Sequence, residues 1–186
     1  MILSVNEVNA LLDQPGMTTS KEIRDKPCME LLYATGIRVS ELIGLELRIL
    51  TVQVGYITCR DGQKERMVPF GKPAKQALSV YLEKGRSQLL KGKESQWLFT
   101  NCSGKAMSRQ GFWKIIKYYG EKAGIQADIT PHTLRHSFAA HLIRGGADIH
   151  AVQAMLGHSD STTTHMYAAY SGNTVGETYR AALPRK

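Results

Sequence analysis

The chain has 186 residues, with 24 lysines and arginines against 16 aspartates and glutamates, for a formal net charge of +8 with histidine neutral. At 42% hydrophobic and 22% charged it carries enough apolar matter for one packed domain and is not a disordered chain. No run approaches the roughly 18 apolar residues of a membrane span, and the N-terminus lacks the basic, apolar and small-residue order of a signal peptide. Cys28, Cys59 and Cys102 are far apart and form no C-x-x-C pair. That spacing argues against a disulfide framework or a zinc knuckle and fits a reducing cytoplasm. The positive excess points to a polyanionic partner, because each Lys or Arg set on a phosphate releases a counterion.

In chain order, Ser4-Val5-Asn6-Glu7 has the form of a capping box and opens a short helix through Val8, Leu11 and Leu12, stopped at Pro15-Gly16. The apolar run around Met29, Leu31, Leu32 and Tyr33 predicts a second helix. Pro27 would cost about 3 kcal/mol in a helix interior, so it is expected in the first turn, with Gly36 as the stop. A further short helix begins at Ser40-Glu41. From Leu50 to Phe70 the pattern turns to β, with Val52, Val54, Tyr56 and Ile57 leading into Asp61-Gly62 and Lys64 to Val68 leading out, a hairpin with a charged tip. Pro73 opens a helix carrying Ala77, Leu78, Tyr81 and Leu82, and Ser108 caps one with Phe112, Ile115, Ile116 and Tyr119 inward. Thr130-Pro131 starts a helix that ends at Gly145-Gly146, and Asp148 starts another that ends at Gly157. The fold class expected is mainly α with a small antiparallel β-sheet.

Four segments hold polar residues suited to one anionic site: Thr35-Gly36-Ile37-Arg38-Val39-Ser40-Glu41, His132-Thr133-Leu134-Arg135-His136, Leu156-Gly157-His158-Ser159, and Tyr167. Each alone has an ordinary reading: Arg38 and Glu41 as a surface pair three residues apart, His158 after a helix stop, Tyr167 as a core aromatic. Together and in this order they resemble the tyrosine recombinase (phage integrase) family, and within it the bacterial Xer recombinases, over a stretch from about Arg24 to Tyr167. The resemblance implies the family's catalytic-domain fold over 1–186 and cleavage and rejoining of DNA strands. In that chemistry Tyr167 attacks a phosphodiester, leaving a 3′-phosphotyrosyl link and a free 5′ hydroxyl. Planar guanidinium groups suit the charge that builds on the nonbridging oxygens, which is the role implied for Arg38 and Arg135. Imidazole titrates near neutrality, so His132 and His158 fit hydrogen bonding or proton movement. Exchanging one ester for another conserves bond energy, so no cofactor, ATP or metal is implied.

In the family a hairpin lysine protonates the leaving 5′ oxygen, commonly within Gly-Lys-Gly-x-Lys. This chain reads Arg60-Asp61-Gly62-Gln63-Lys64, with aspartate in the lysine column, which leaves Lys64 as the nearest candidate. Glu41 is expected to orient Arg38. His132 and His136 have the spacing of metal ligands, but no intervening Glu or third ligand accompanies them, so no metal site is expected. Arg60, Lys64, Lys105, Arg109, Lys114, Lys117 and Arg144 are taken as a group that tracks DNA phosphates. The family's N-terminal DNA-clamping domain has no counterpart in this sequence, and Pro184-Arg185-Lys186 has the look of a natural end. The tail 172–186, with Val175, Tyr179 and Leu183 as apolar contacts of a helix over 176–183, is expected to fold back on its own domain or to pass to a neighbouring subunit. The partners implied are a double-stranded recombination site, a homo- or hetero-tetramer assembled on it and an activating protein, in a bacterial, nucleoid-associated setting. Two alternatives stay open at this stage: strand cleavage of the type IB topoisomerase kind, and a catalytically impaired DNA-binding module built on the helix pair around Gly145-Gly146.

Overall fold

The computed structural model describes residues 1–157 and 179–185. The elements are α1 (Val5–Leu12), α2 (Ser20–Thr35), α3 (Val39–Ile43), a 3-10 turn (Leu47–Ile49), β1 (Leu50–Thr51), β2 (Tyr56–Asp61), β3 (Lys64–Pro69), α4 (Lys72–Val80), α5 (Arg86–Leu90), α6 (Arg109–Lys122), α7 (Pro131–Arg144) and α8 (Ile149–Leu156). A π-helical turn (Tyr81–Gly85) joins α4 to α5. The fold of the described residues is thus mainly α, with one antiparallel sheet in the order β1-β2-β3, as the sequence leads one to expect. The hairpin register pairs Ile57 with Val68, Cys59 with Arg66 and Asp61 with Lys64. Val52 and Val54 do not belong to the strand that leads into the hairpin: the chain turns between β1 and β2, and Val54 is exposed.

Helix α2 is the centre of the core, and here the expected place of Pro27 is wrong. The helix starts at Ser20, behind a capping box made by Thr19 and Glu22, so Pro27 lies in its interior. The lost hydrogen bond is offset by burial, since Ile23, Cys28, Met29, Leu31 and Leu32 all point into the core. Each such side chain contributes about 1.5–3 kcal/mol, against about 3 kcal/mol for the proline. The π-helical turn packs directly on this helix, for a Cβ on Gly85 would stand 2.4 Å from Ile23 Cγ2. A buried pair clips α2 to α6: Arg24 donates through Nε and Nη2 to Asp25 Oδ1, at 2.9 and 2.7 Å, while Tyr119 Oη donates to Asp25 Oδ2 at 3.2 Å.

Both ends of the described chain are tied to this core. Leu3 N–H donates to Ser137 Oγ at 2.9 Å, and Leu3 O lies 2.9 Å from His141 Nε2. A carbonyl only accepts, so Nε2 of His141 carries the proton and Nδ1 accepts from Tyr33 Oη, 2.9 Å away. At the other end residues 179–182 form a helical turn, with Tyr179, Ala182 and Leu183 buried in their own domain. Gly71 N–H donates to Tyr179 Oη at 3.0 Å. Gly145 is pressed against the Ala182 backbone, leaving no room for a Cβ. Arg185 then reaches Glu30, at 3.0 and 2.6 Å, as well as Asn9 and Asp13. Burial works against its charge, but Glu30 and Asp13 outweigh that and raise its pKa. Of the residues named for the tail helix, Tyr179 and Leu183 are described and Val175 lies outside the described residues.

Burial lowers the His141 pKa below the ordinary 6.5. The unfolded chain therefore takes up the proton first as pH falls, so this histidine's share of stability is intact above about 6.5 and is lost below it. Denaturant melts are expected to show weaker folding at pH 5.5 than at 7.5, with part of that difference absent in His141→Gln. His141→Ala should cost about 2 kcal/mol at pH 7.5, because a buried hydroxyl and a buried carbonyl both lose a partner.

Candidate active site

The last turn of α8 ends in the left-handed conformation at Gly157, φ +66. A helix leaves its final carbonyls without intrahelical partners and carries a partial negative charge there. Three successive carbonyls at this end are each met by a different arginine. Arg66 Nε donates to Met155 O at 2.9 Å, Arg135 Nη2 to Leu156 O at 2.7 Å, and Arg38 Nη2 to Gly157 O at 3.1 Å. Arg135 Nη1 donates in addition to Gly36 O. Residues from β3, α7 and the N-cap of α3 therefore converge on one point, and both sequence-predicted arginines are among them.

Two glycines make the convergence possible. Gly36 has φ +60, and a Cβ there would stand 2.2 Å from Phe138 Cδ1 and 2.9 Å from Leu156 Cδ2, so α2 ends hard against α7 and α8. A Cβ on Gly157 would stand 2.7 Å from the Arg66 guanidinium. The Thr-Gly-Ile-Arg and Leu-Gly-His segments need glycine for backbone conformation and for close approach alike.

Two carboxylates answer the three cations, in different ways. Glu41, with a side chain 7% exposed, takes a forked ion pair from Arg66, Nη1 to Oε1 at 2.6 Å and Nη2 to Oε2 at 2.9 Å. Its Oε2 also accepts from the Arg38 backbone N–H at 2.7 Å, whereas the Arg38 guanidinium lies 3.8 Å from Oε1. Glu41 thus orients Arg38 chiefly through the main chain. Asp61 binds the Arg38 guanidinium directly, Nη1 to Oδ2 at 3.0 Å, with side chains 37% and 52% exposed. Among the described residues the cluster retains a positive balance, and burial together with the neighbouring Arg38 pulls the Arg135 pKa down to about 10. An added anion would relieve that crowding.

Alternation along the hairpin sorts its charges by face. Buried Ile57, Cys59, Arg66 and Val68 define the inner face, and the register puts Asp61 and Lys64 in the same columns at the exposed tip. Lys64 therefore sits on the side that faces Arg38. Arg60 lies on the outer face, ion-paired with Glu65 at 2.6 Å, and is not brought to the cluster. His132 and His136 are exposed on the first turns of α7, ring centroids 6.4 Å apart. Among the described residues no three His, Cys, Asp or Glu side chains are grouped to hold a metal ion. Lys105, Arg109, Lys114, Lys117 and Arg144 are exposed, and Lys117 pairs with Asp128 at 3.0 Å. His158 and Tyr167 lie outside the described residues. Sequence reasoning missed Arg66, although a signal existed: an arginine stands in a strand column that alternation reserves for buried apolar residues.

Residues 2–173 match the model of the Phage integrase family. The chain belongs to that family. It is 48% identical over 185 residues to the tyrosine recombinase XerD of Staphylococcus epidermidis, covering 99% of this chain and 63% of the relative. The chain thus spans less than two thirds of the length of such curated relatives. Among solved structures, XerA recombinase matches 100% of this chain and 66% of its own at 30% identity and a TM-score of 0.76. XerH site-specific recombinase bound to difH substrate, in a pre-cleavage complex, matches 91% of this chain and 52% of its own at 25% identity and a TM-score of 0.74. The integrase fold and the ordered motifs of the sequence therefore agree.

The half-exposed Asp61–Arg38 pair is the part of the cluster an incoming anion must displace. An exposed ion pair is worth up to about 1 kcal/mol, so Asp61→Asn should tighten binding of inorganic phosphate at Arg38 by up to about five-fold. Titration followed at the Arg38 Nε–H resonance by NMR checks this.

Proposed function

We propose that this chain is the catalytic domain of a Xer-like site-specific DNA recombinase, acting through a 3′-phosphotyrosyl intermediate at Tyr167. The observation that carries the reading is the meeting of Arg38 and Arg135 at the C-terminal end of α8, a net cationic point from which the chain runs straight into His158. The similarity to XerD over nearly the whole chain supports the same reading.

In the proposed reaction the scissile phosphate displaces Asp61 and sits between Arg38 and Arg135, whose paired donors stabilise the charge gathering on its nonbridging oxygens. Tyr167 Oη attacks phosphorus, the P–O5′ bond breaks, and the departing 5′ oxygen takes a proton from Lys64. His132 and His158 hydrogen-bond the phosphate or carry the tyrosine proton. A 5′ hydroxyl from the exchanged strand then attacks the phosphotyrosyl bond and restores the diester. The biological task is resolution of chromosome dimers or integration and excision of a mobile element, in the cytoplasm at the nucleoid. The partners are a duplex recombination site, a homo- or hetero-tetramer of recombinase subunits and an activating protein. The C-terminal tail 172–186 is the segment proposed to exchange between subunits. Arg60, Lys105, Arg109, Lys114, Lys117 and Arg144 supply salt-sensitive backbone contacts as a group.

A nicked suicide duplex, drawn from a pool enriched for binding, tests the reading. The protein should form an SDS-resistant adduct that is absent in Tyr167→Phe. Lys64→Ala should slow adduct formation about 100-fold with little change in binding, and a bridging 5′ sulfur, which leaves without a proton, should restore it. Binding without any adduct would instead identify a DNA-binding module, and relaxation of supercoiled DNA lacking the site would identify topoisomerase-like action.

A further inference from the structure

The arginine that the sequence motifs pass over has the firmest placement of the three. Arg66 is 5% exposed, whereas the Arg38 side chain is 37% exposed. It stands on the inner face of β3, two positions from Lys64 and opposite Cys59. We infer that Arg66 is the positioning residue of the cleavage site, holding the Arg38 backbone through Glu41 and the start of the His158 segment through the Met155 carbonyl. The inference rests on the recombinase reading.

Three parts of the chain must keep fixed relative places for that chemistry: the N-cap of α3 with Arg38, the hairpin tip with Lys64, and the end of α8 that leads to His158. Arg66 is joined to the first through Glu41, is bonded to the third and belongs to the strand of the second. Its fork locks both oxygens of Glu41, and Glu41 Oε2 in turn receives the Arg38 N–H at 2.7 Å. Its Nε, pointing another way, reaches Met155 O at 2.9 Å. The missing Cβ of Gly157 gives the guanidinium its room. A planar group with donors in fixed directions serves both partners at once, and an ammonium group cannot reproduce that geometry. Burial keeps Arg66 back from the opening where a phosphate would meet Arg38, so it acts through other residues.

Because reaction geometry of this kind is sensitive to shifts of about 1 Å, a loosened Arg66 should cost about 100-fold in rate. The test is the suicide-duplex assay with the whole protein, measuring the cleavage rate at saturating duplex and the half-saturating concentration separately. Arg66→Lys, confirmed folded by its melting curve, should lose about 100-fold in rate while half-saturation moves less than about three-fold. In a Glu41→Gln background, adding Arg66→Gln should cost clearly less than it does in the wild type, since both changes cut the Glu41 link and only the Met155 bond is left to lose; this neutral pair also carries the test if the lysine variant fails to fold. A folded variant that cleaves within about two-fold of wild type, a loss confined to half-saturation, or losses that multiply in the double variant would each overturn the inference. A wild-type protein that binds the duplex and forms no adduct would remove the recombinase reading and this inference with it.

Discussion

Three backbone carbonyls at the end of one short helix set the arrangement of everything around them. Met155, Leu156 and Gly157 present their oxygens in sequence, and Arg66, Arg135 and Arg38 each take one. Hydrogen bonds from charged groups are worth about 1.5–3 kcal/mol each, and these three draw on a strand, a long helix and a helix cap. The end of α8 is thus a knot tying together segments that lie as much as 119 positions apart in the chain. Guanidinium groups gathered in this way repel one another, and the fold tolerates the repulsion because helix carbonyls and Glu41 answer part of it. What is left over is an appetite for an anion.

The division of labour follows from burial. Glu41 and Arg66 are closed off from water and hold fixed positions, while Arg38 and Asp61 stand half-exposed and are free to change partners. In the proposed reaction a phosphodiester would meet one arginine whose bond to Asp61 is weak and another, Arg135, whose pKa is already depressed by burial and by the neighbouring Arg38. Such binding would relieve repulsion between like charges, a physical reason for paired arginines where one would serve for charge alone. The site as a whole hangs on core packing: Gly36 against Phe138 and Leu156 fixes the approach of α2 to α7 and α8, and the docked residues 179–185 brace the far side of α2 through Glu30.

Caps and apolar periodicity made most of the helices legible in the sequence. Ser4, Ser108 and Asp148 begin helices where their side chains bond the first-turn backbone, and Gly36 and Gly157 end them at positive φ. Pro27 misled because local propensity was set against a buried helix whose tertiary contacts outweighed it. The hairpin was visible from alternation and from Asp61-Gly62, whereas the short strand β1 and the turn after it read as one strand with β2. Arg38 and Arg135 were found because ordered motifs name them, but nothing in a linear pattern reports that both end on the same helix carbonyls. Nor did it report that Asp61, in the lysine column, reaches back to Arg38, or that Arg66 spends its charge inside the protein. These are facts of register and close approach, which depend on pairs of distant residues.

If the arginine cluster works on the charge of a scissile phosphate, as proposed, its effect must largely disappear when that charge is removed. Replacing one nonbridging oxygen with a methyl group removes the negative charge and leaves the reaction path open. Cleavage should therefore be measured for wild type and Arg38→Ala on a natural duplex and on one with a methylphosphonate at the cut. Arg38→Ala is expected to lose at least about 100-fold on the natural phosphate, in line with removal of one transition-state donor, and less than about ten-fold on the neutral one. Equal losses on both substrates would contradict the proposal, leaving Arg38 a structural residue of the fold and placing the charge-stabilising chemistry elsewhere.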